Sequence, residues 1–326
     1  MKLNNKGFAI STIMYMILIM AVILITLTLS LLSGRKFILS KIKDETKHNI
    51  YSICKGVTED TKTTGNVPKG EYEPGDEYIC EVGPNKKYRF FVLSKDDDNV
   101  NLIMDSNITA SGEAIKSDDV IEGYSPLEYN QWHSAWINQV DYELAGGQSY
   151  NSHIDNNIYG PITALKYVES ATSSWSNIPM LNETYTDEGG NYRPIRLTGK
   201  ARLPKKSEIN NLFVDKTYNM DNYRTDKLPI WATNYLYNIE NETTIEIGAY
   251  VKGRTHINRL GNYWLLSSVS INIQPETSAY DVGYDGGWYG YSNVTVDDDT
   301  YKCSDDNLCL RKGIRPVISI PFNKMD

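Results

Sequence analysis

EYICEVGPNKKYRFFVLSKDDDNVNLIM, residues 77–104, holds three apolar-rich runs, Glu77–Val82, Tyr88–Leu93 and Val100–Met104. They are parted by Gly83-Pro-Asn-Lys-Lys87 and Lys95-Asp-Asp-Asp-Asn99. Short runs rich in β-branched and aromatic residues, bounded by Gly, Pro, Asn and Asp, are strand signals. The stretch therefore predicts an antiparallel meander with charged turns.

Downstream, Ile162–Trp175 places Ile162, Leu165 and Val168 at helical spacing and predicts an amphipathic helix. A second, short helix is expected over Ser207–Phe213, after Pro204. Tyr263–Ser268, Ala279–Val282 and Ile314–Ile320 read as short strands joined by loops rich in Gly, Asn and Asp. Helices set among many short strands give an α+β expectation.

Upstream, Lys55–Asp76 lacks apolar periodicity and reads as a boundary. Before it, Phe8–Leu32 carries no charge, Pro or Gly. As a helix those residues would extend about 37 Å, more than a bilayer core of about 30 Å. A transmembrane helix is therefore expected there, with the membrane as a partner. The periodic pattern Ile38, Ile42, Thr46, Ile50, Ile53 extends it toward Cys54, about 70 Å in all. The expected organisation is a basic leader over 1–7, the transmembrane helix over 8–32, a helical stalk over 33–55, a linker over 56–75 and an exported head over 76–326.

Lys6-Gly7-Phe8 before an apolar helix resembles the processing site of type IV pilins and pseudopilins. That resemblance implies cleavage after Gly7 by a prepilin peptidase, Phe8 as the first mature residue, and other pilin-like subunits as partners. The family usually has Glu at mature position five; Thr12 stands there. The resemblance thus implies a minor or tip-like subunit, or a helix kept as an anchor. Arg202-Leu-Pro204, Tyr263-Trp-Leu-Leu-Ser-Ser268 and Gly313-Ile-Arg-Pro-Val317 resemble an exported Firmicutes-type domain similar to the C-type-lectin-like fold of sulfatase-modifying factors. This implies a loop-rich head in which the C-terminal strand, Ile318–Ile320, lies beside the early strands.

The formal charge of -8 disfavours nucleic acid as a partner. The four cysteines allow three connectivities. Pairing nearest neighbours, Cys54 with Cys80 and Cys303 with Cys309, is preferred because the second pair brackets a short polar turn. No grouping of Ser, His or Cys matches a catalytic motif, so no catalytic residue is assigned.

Asp297-Asp-Asp299 could offer oxygen ligands to Ca²⁺, although charge runs are more often solvated turns. Gly283-Tyr-Asp-Gly-Gly-Trp-Tyr-Gly-Tyr291 suits an exposed loop whose Trp288, Tyr289 and Tyr291 could stack on a sugar or a protein, although a tryptophan in such a run more often plugs the core. The expected function is a non-enzymatic, pilin-like surface subunit with its bulk outside the plasma membrane, displaying an adhesive or assembly head. The alternative is a stand-alone tethered protein that binds an extracellular glycan, peptide or protein.

Overall fold

The computed structural model describes residues 16–20, 52–115, 134–147, 156–222, 227–233, 237–238, 243–244, 263–269, 278–282, 291–293, 295–296 and 312–326. The chain divides into Met1–Ser52 and Ile53–Asp326. In the first unit, Met16–Met20 are helical and exposed.

The second unit is built on an antiparallel sheet. Its strands are β1 (Cys54–Gly56), β2 (Glu77–Gly83), β3 (Lys86–Lys95), β4 (Asn99–Met104) and, from the far end of the chain, Val317–Pro321. These five lie in that order, the last antiparallel to β4 with Ile318 opposite Leu102. The predicted meander is thus present, and the C-terminal strand lies beside it. That strand starts three residues later than Ile314, because Pro316 has no N–H to give to a ladder.

The sheet is buried on both faces. Phe90, Val92, Leu102 and Met104 belong to one apolar cluster, which takes in Ala164, Val168 and Ala171 of helix α1 (Ile162–Ala171), Trp136 and Trp175. Phe91, Leu93, Ile103 and Val317 belong to the other, with Ile209, Leu212, Phe213 and Trp231. Alternation of side chains along a strand sends neighbours to opposite faces, which is why two clusters flank one sheet. Each fully buried aromatic or aliphatic side chain contributes about 1.5–3 kcal/mol.

A smaller antiparallel sheet is formed by β5 (Tyr263–Ser268), β6 (Ser278–Val282) and β7 (Tyr291–Asn293). The final strand, Val317–Pro321, is β8. Every residue of β5 is buried, and it feeds both clusters: Trp264 and Leu266 join one, Tyr263 and Leu265 the other. The indole N–H groups of Trp136 and Trp264 donate to Leu265 O (3.0 Å) and Ser134 O (2.8 Å), which leaves these two large rings dry and satisfied.

Two expectations are corrected. Against the α+β expectation, the described residues are predominantly sheet with few helices; α1 ends at Ala171 and the helix expected over Ser207–Phe213 is the five-residue α2 (Lys206–Asn210). Among the described residues, no helix is long and apolar enough to cross a membrane. The long transmembrane helix over Phe8–Leu32, and the single-pass plasma-membrane, cell-surface and pilin-type placement that depended on it, are therefore not supported. A span needs about 20 consecutive helical residues; of the expected helix and stalk, Met16–Met20 and 52–55 are described, and 8–15 and 21–51 lie outside the described residues. The periodic pattern read toward Cys54 also stops short of it, since Cys54–Gly56 is a strand.

Candidate functional site

The three motif stretches converge. Arg202 and Val317 exchange both backbone hydrogen bonds, at 2.9 and 2.8 Å. The Leu266 amide donates to Pro204 O at 2.8 Å, and the Trp264 amide to Gly313 O at 3.3 Å. Arg202-Leu-Pro204, β5 and Gly313–Val317 therefore meet in one joint.

Two fully buried arginines hold it. The Arg202 guanidinium donates to Glu208 through Nη1 (2.8 Å) and Nη2 (2.6 Å), and its Nε lies 3.1 Å from Glu183 Oε1. Glu208 also accepts from the Lys205 amide (2.9 Å) and the Ser94 hydroxyl (2.8 Å). Burial raises the Glu208 carboxyl, but the Arg202 charge and these donors outweigh it, so Glu208 titrates below the ordinary range. The Arg315 guanidinium donates to Met104 O (2.6 Å), Ala232 O (2.8 Å) and Trp231 O (2.6 Å) and lies over the Tyr263 ring. Its planar fork ties together two backbone segments, the end of β4 and residues 231–232, that have no strand pairing with each other.

Beside the joint lies a polar shelf. The Tyr185 hydroxyl meets Ser267 Oγ at 2.6 Å, and Ser267 Oγ donates to Glu188 Oε2 at 3.0 Å. The other Glu188 oxygen accepts from the Ser207 hydroxyl, and Oε2 accepts from the Ser207 amide at 2.9 Å. Asp187 accepts from the amides of Asn191 (2.8 Å), Tyr192 (3.2 Å) and Ser268 (3.0 Å) and from the Ser268 hydroxyl. Both carboxylates thus pin the 187–192 loop onto β5 and α2. Burial pushes the Tyr185 and Tyr192 hydroxyls well above their usual range, so both stay protonated donors.

The edge of the shelf is charged. Lys206 Nζ donates to Asp221 Oδ1 and to the Tyr280 hydroxyl, each at 2.9 Å, and Tyr280 donates to Asp221. Burial opposes ionisation of Asp221, and the bonds from Tyr280 and Lys206 overcome it, lowering its carboxyl below the ordinary value. On the next residue of β6, Asp281 pairs with Lys312 at 3.0 Å, both nearly buried. So β6 is anchored to α2 through Tyr280 and to the chain before β8 through Asp281.

Two surface clefts lie elsewhere, around the 57–76 segment. One, about 360 Å³, is lined by Lys55, Pro68, Tyr72, Tyr78 and Asp326; the other, about 450 Å³, by Glu59, Lys62, Asn66, Lys69 and Asp76. Among the described residues, no group of three or more His, Cys, Asp or Glu could hold a metal ion.

Of the residues singled out in the sequence, Cys54 and Cys80 form a disulfide between directly opposite positions of β1 and β2. Tyr291 begins β7 opposite Tyr280. Gly7, Phe8, Trp288, Tyr289, Asp297, Asp298, Asp299, Cys303 and Cys309 lie outside the described residues. Sequence reading missed the roles of Arg202, Glu208 and Arg315. A signal existed for one: Glu208, three residues after Lys205, occupies the position from which a carboxylate reaches back to cap a helix. Comparison with family models, with curated proteins and with solved structures returns no match.

Proposed function

We propose that residues 53–326 form a non-enzymatic binding domain that recognises a glycan through the glycine- and aromatic-rich segment 283–291. The observation that carries this reading is the pairing of β6 with β7, Tyr280 opposite Tyr291 and Ala279 opposite Ser292. The pairing makes 283–290 the connection between two adjacent antiparallel strands. The base of that connection is held by the Tyr280–Lys206–Asp221 bonds and the Asp281–Lys312 ion pair. A recognition segment on a fixed base loses less freedom on binding than one on a loose base.

The segment's composition supplies the recognition chemistry. Trp288 and Tyr289 offer ring faces to the C–H faces of sugars, and the surrounding glycines allow close approach. The charge of -8 favours uncharged sugars over anionic ones. A non-enzymatic role is further supported by the use of the motif arginines, both engaged in holding backbone and a buried carboxylate together.

The test is binding of the full chain to immobilised neutral glycans, followed by titration with the best one. Trp288→Ala is expected to weaken binding about tenfold, the loss of about 1.4 kcal/mol of ring contact. Unchanged affinity in a Trp288→Ala/Tyr289→Ala variant, or binding only to proteins, overturns the glycan reading.

A further inference from the structure

The chain comes into the domain at Ile53 and reaches Asp326 on the same narrow strip of sheet. β1 has β2 on one side. On its other side runs the segment 324–326, parallel to it, with Cys54 bridged to Met325. Three backbone bonds join them: Ile53 N–H to Lys324 O (2.8 Å), Asp326 N–H to Cys54 O (3.0 Å) and Gly56 N–H to Asp326 O (2.9 Å). Met325 is buried, and the Phe322 ring lies 5.4 Å from that of Tyr72, seating the segment.

Parallel pairing fixes how tension acts here. A pull on the chain before Ile53 and an opposite pull at Asp326 run along the two strands in opposite senses. All three bonds are then strained together, in shear, whereas a pull across the strands would open them one at a time. One residue inside the domain, Cys54 is bonded to Cys80. Tension arriving at Ile53 therefore passes covalently into β2, between β1 and β3, before it can strip β1 from the sheet. The loop 55–79 is taken out of the path of the force.

We propose that this strip is a mechanical clamp, and that the domain carries tension between the chain preceding Ile53 and its C-terminal segment. The covalent bond secures the incoming strand and the sheared parallel pair secures the outgoing one. The proposal is independent of which ligand the domain binds.

Single-molecule pulling on the full chain tests it. With handles at the two ends, the domain should rupture at a force several-fold higher than with one handle moved from the N-terminal end to Asp97. Asp97 lies in the exposed β3–β4 turn, at the same end of the sheet as Asp326, where the Phe322 amide donates to Asp98 O. In that geometry the outgoing segment is peeled. Asp326→Pro, which removes one donor of the parallel pair, should lower the end-to-end force by a larger fraction than the force in the Asp97 geometry, where the bonds are loaded one at a time. Breaking the disulfide with a small thiol should lower the end-to-end force and release about 90 Å of additional chain. Equal rupture forces in the two geometries, or an end-to-end force indifferent to Asp326→Pro, overturns the proposal.

Discussion

Arg202 and Val317 face each other across a reciprocal pair of backbone hydrogen bonds, 2.9 and 2.8 Å, although one precedes a short helix in mid-chain and the other begins the last strand. The contact puts the Arg202 guanidinium where water cannot reach it, so its charge must be met from within by Glu208 and Glu183. Arg202-Leu-Pro204, β5 and Gly313–Val317, apart in the sequence, form one structural joint.

Removing Glu208 takes away both of its bonds to the Arg202 Nη atoms and leaves the buried guanidinium, among the described residues, with only its Nε contact to Glu183 to meet its charge. Glu208→Ala is expected to destabilise the domain by about 3–5 kcal/mol, as read by urea unfolding. An Arg202→Met/Glu208→Leu double variant should recover most of the loss, because apolar replacements of both partners leave no stranded charge.

Arg315→Lys keeps the charge and loses the fork. A single ammonium cannot reach Met104 O, Trp231 O and Ala232 O together. We expect a loss of about 2–3 kcal/mol from carbonyls left without a donor, measured by the same unfolding experiment.

Asp105 follows β4 and is faced by Arg315 and Arg89. Burial pushes its carboxyl up to about 6, and the two arginines, with a hydrogen bond from Ser106, pull the other way without cancelling the effect. In the unfolded chain the group ionises near its ordinary value of about 4. The native state thus keeps a proton that the unfolded state releases, and this group's contribution to stability falls as pH rises from about 4 to 6. Comparison of the melting temperatures of Asp105→Asn and the parent should move in favour of the variant over that window; a difference independent of pH contradicts the assignment.

Gly112 sits at φ +77, and a Cβ built there would lie 2.1 Å from the Ala171 carbonyl oxygen at the end of α1. Gly112→Ala should therefore cost more than the roughly 1 kcal/mol of the left-handed backbone alone. The measurement is thermal unfolding, with Gly146→Ala as a control: Gly146 shares a positive φ, but its Cβ would meet nothing within 4 Å.

The Cys54–Cys80 bond closes a loop of 26 residues. Its removal in a Cys54→Ser/Cys80→Ser variant should cost about 3–4 kcal/mol through the freedom returned to the unfolded chain.

The meander was legible because its strands are local, alternate in side-chain character and are separated by charged turns. Helix α1 was legible through Ile162, Leu165 and Val168; its end at Ala171 was not, since Trp175 enters the core from the turn beyond it. The place of β8 next to β4 came from a resemblance, because nothing in Val317–Pro321 names its partner. Nor could the sequence tell that Arg202 and Arg315 are buried: an arginine near a proline reads alike at a surface and in a core until the surrounding carbonyls are known. Asp105 has no local signal either, since its environment is made by Arg89 and Arg315 from two other strand neighbourhoods. Of the apolar block Phe8–Leu32, only Met16–Met20 belong to the described residues, so the span read from its composition has no counterpart among them.

The division between a structural joint and a recognition segment is tested most directly by measuring glycan affinity and melting temperature together in two variants, Trp288→Ala and Arg315→Lys. The account predicts that Trp288→Ala lowers affinity about tenfold at an unchanged melting temperature, and that Arg315→Lys lowers the melting temperature while the folded fraction binds as the parent does. Loss of binding in fully folded Arg315→Lys protein, with Trp288→Ala binding normally, would contradict it.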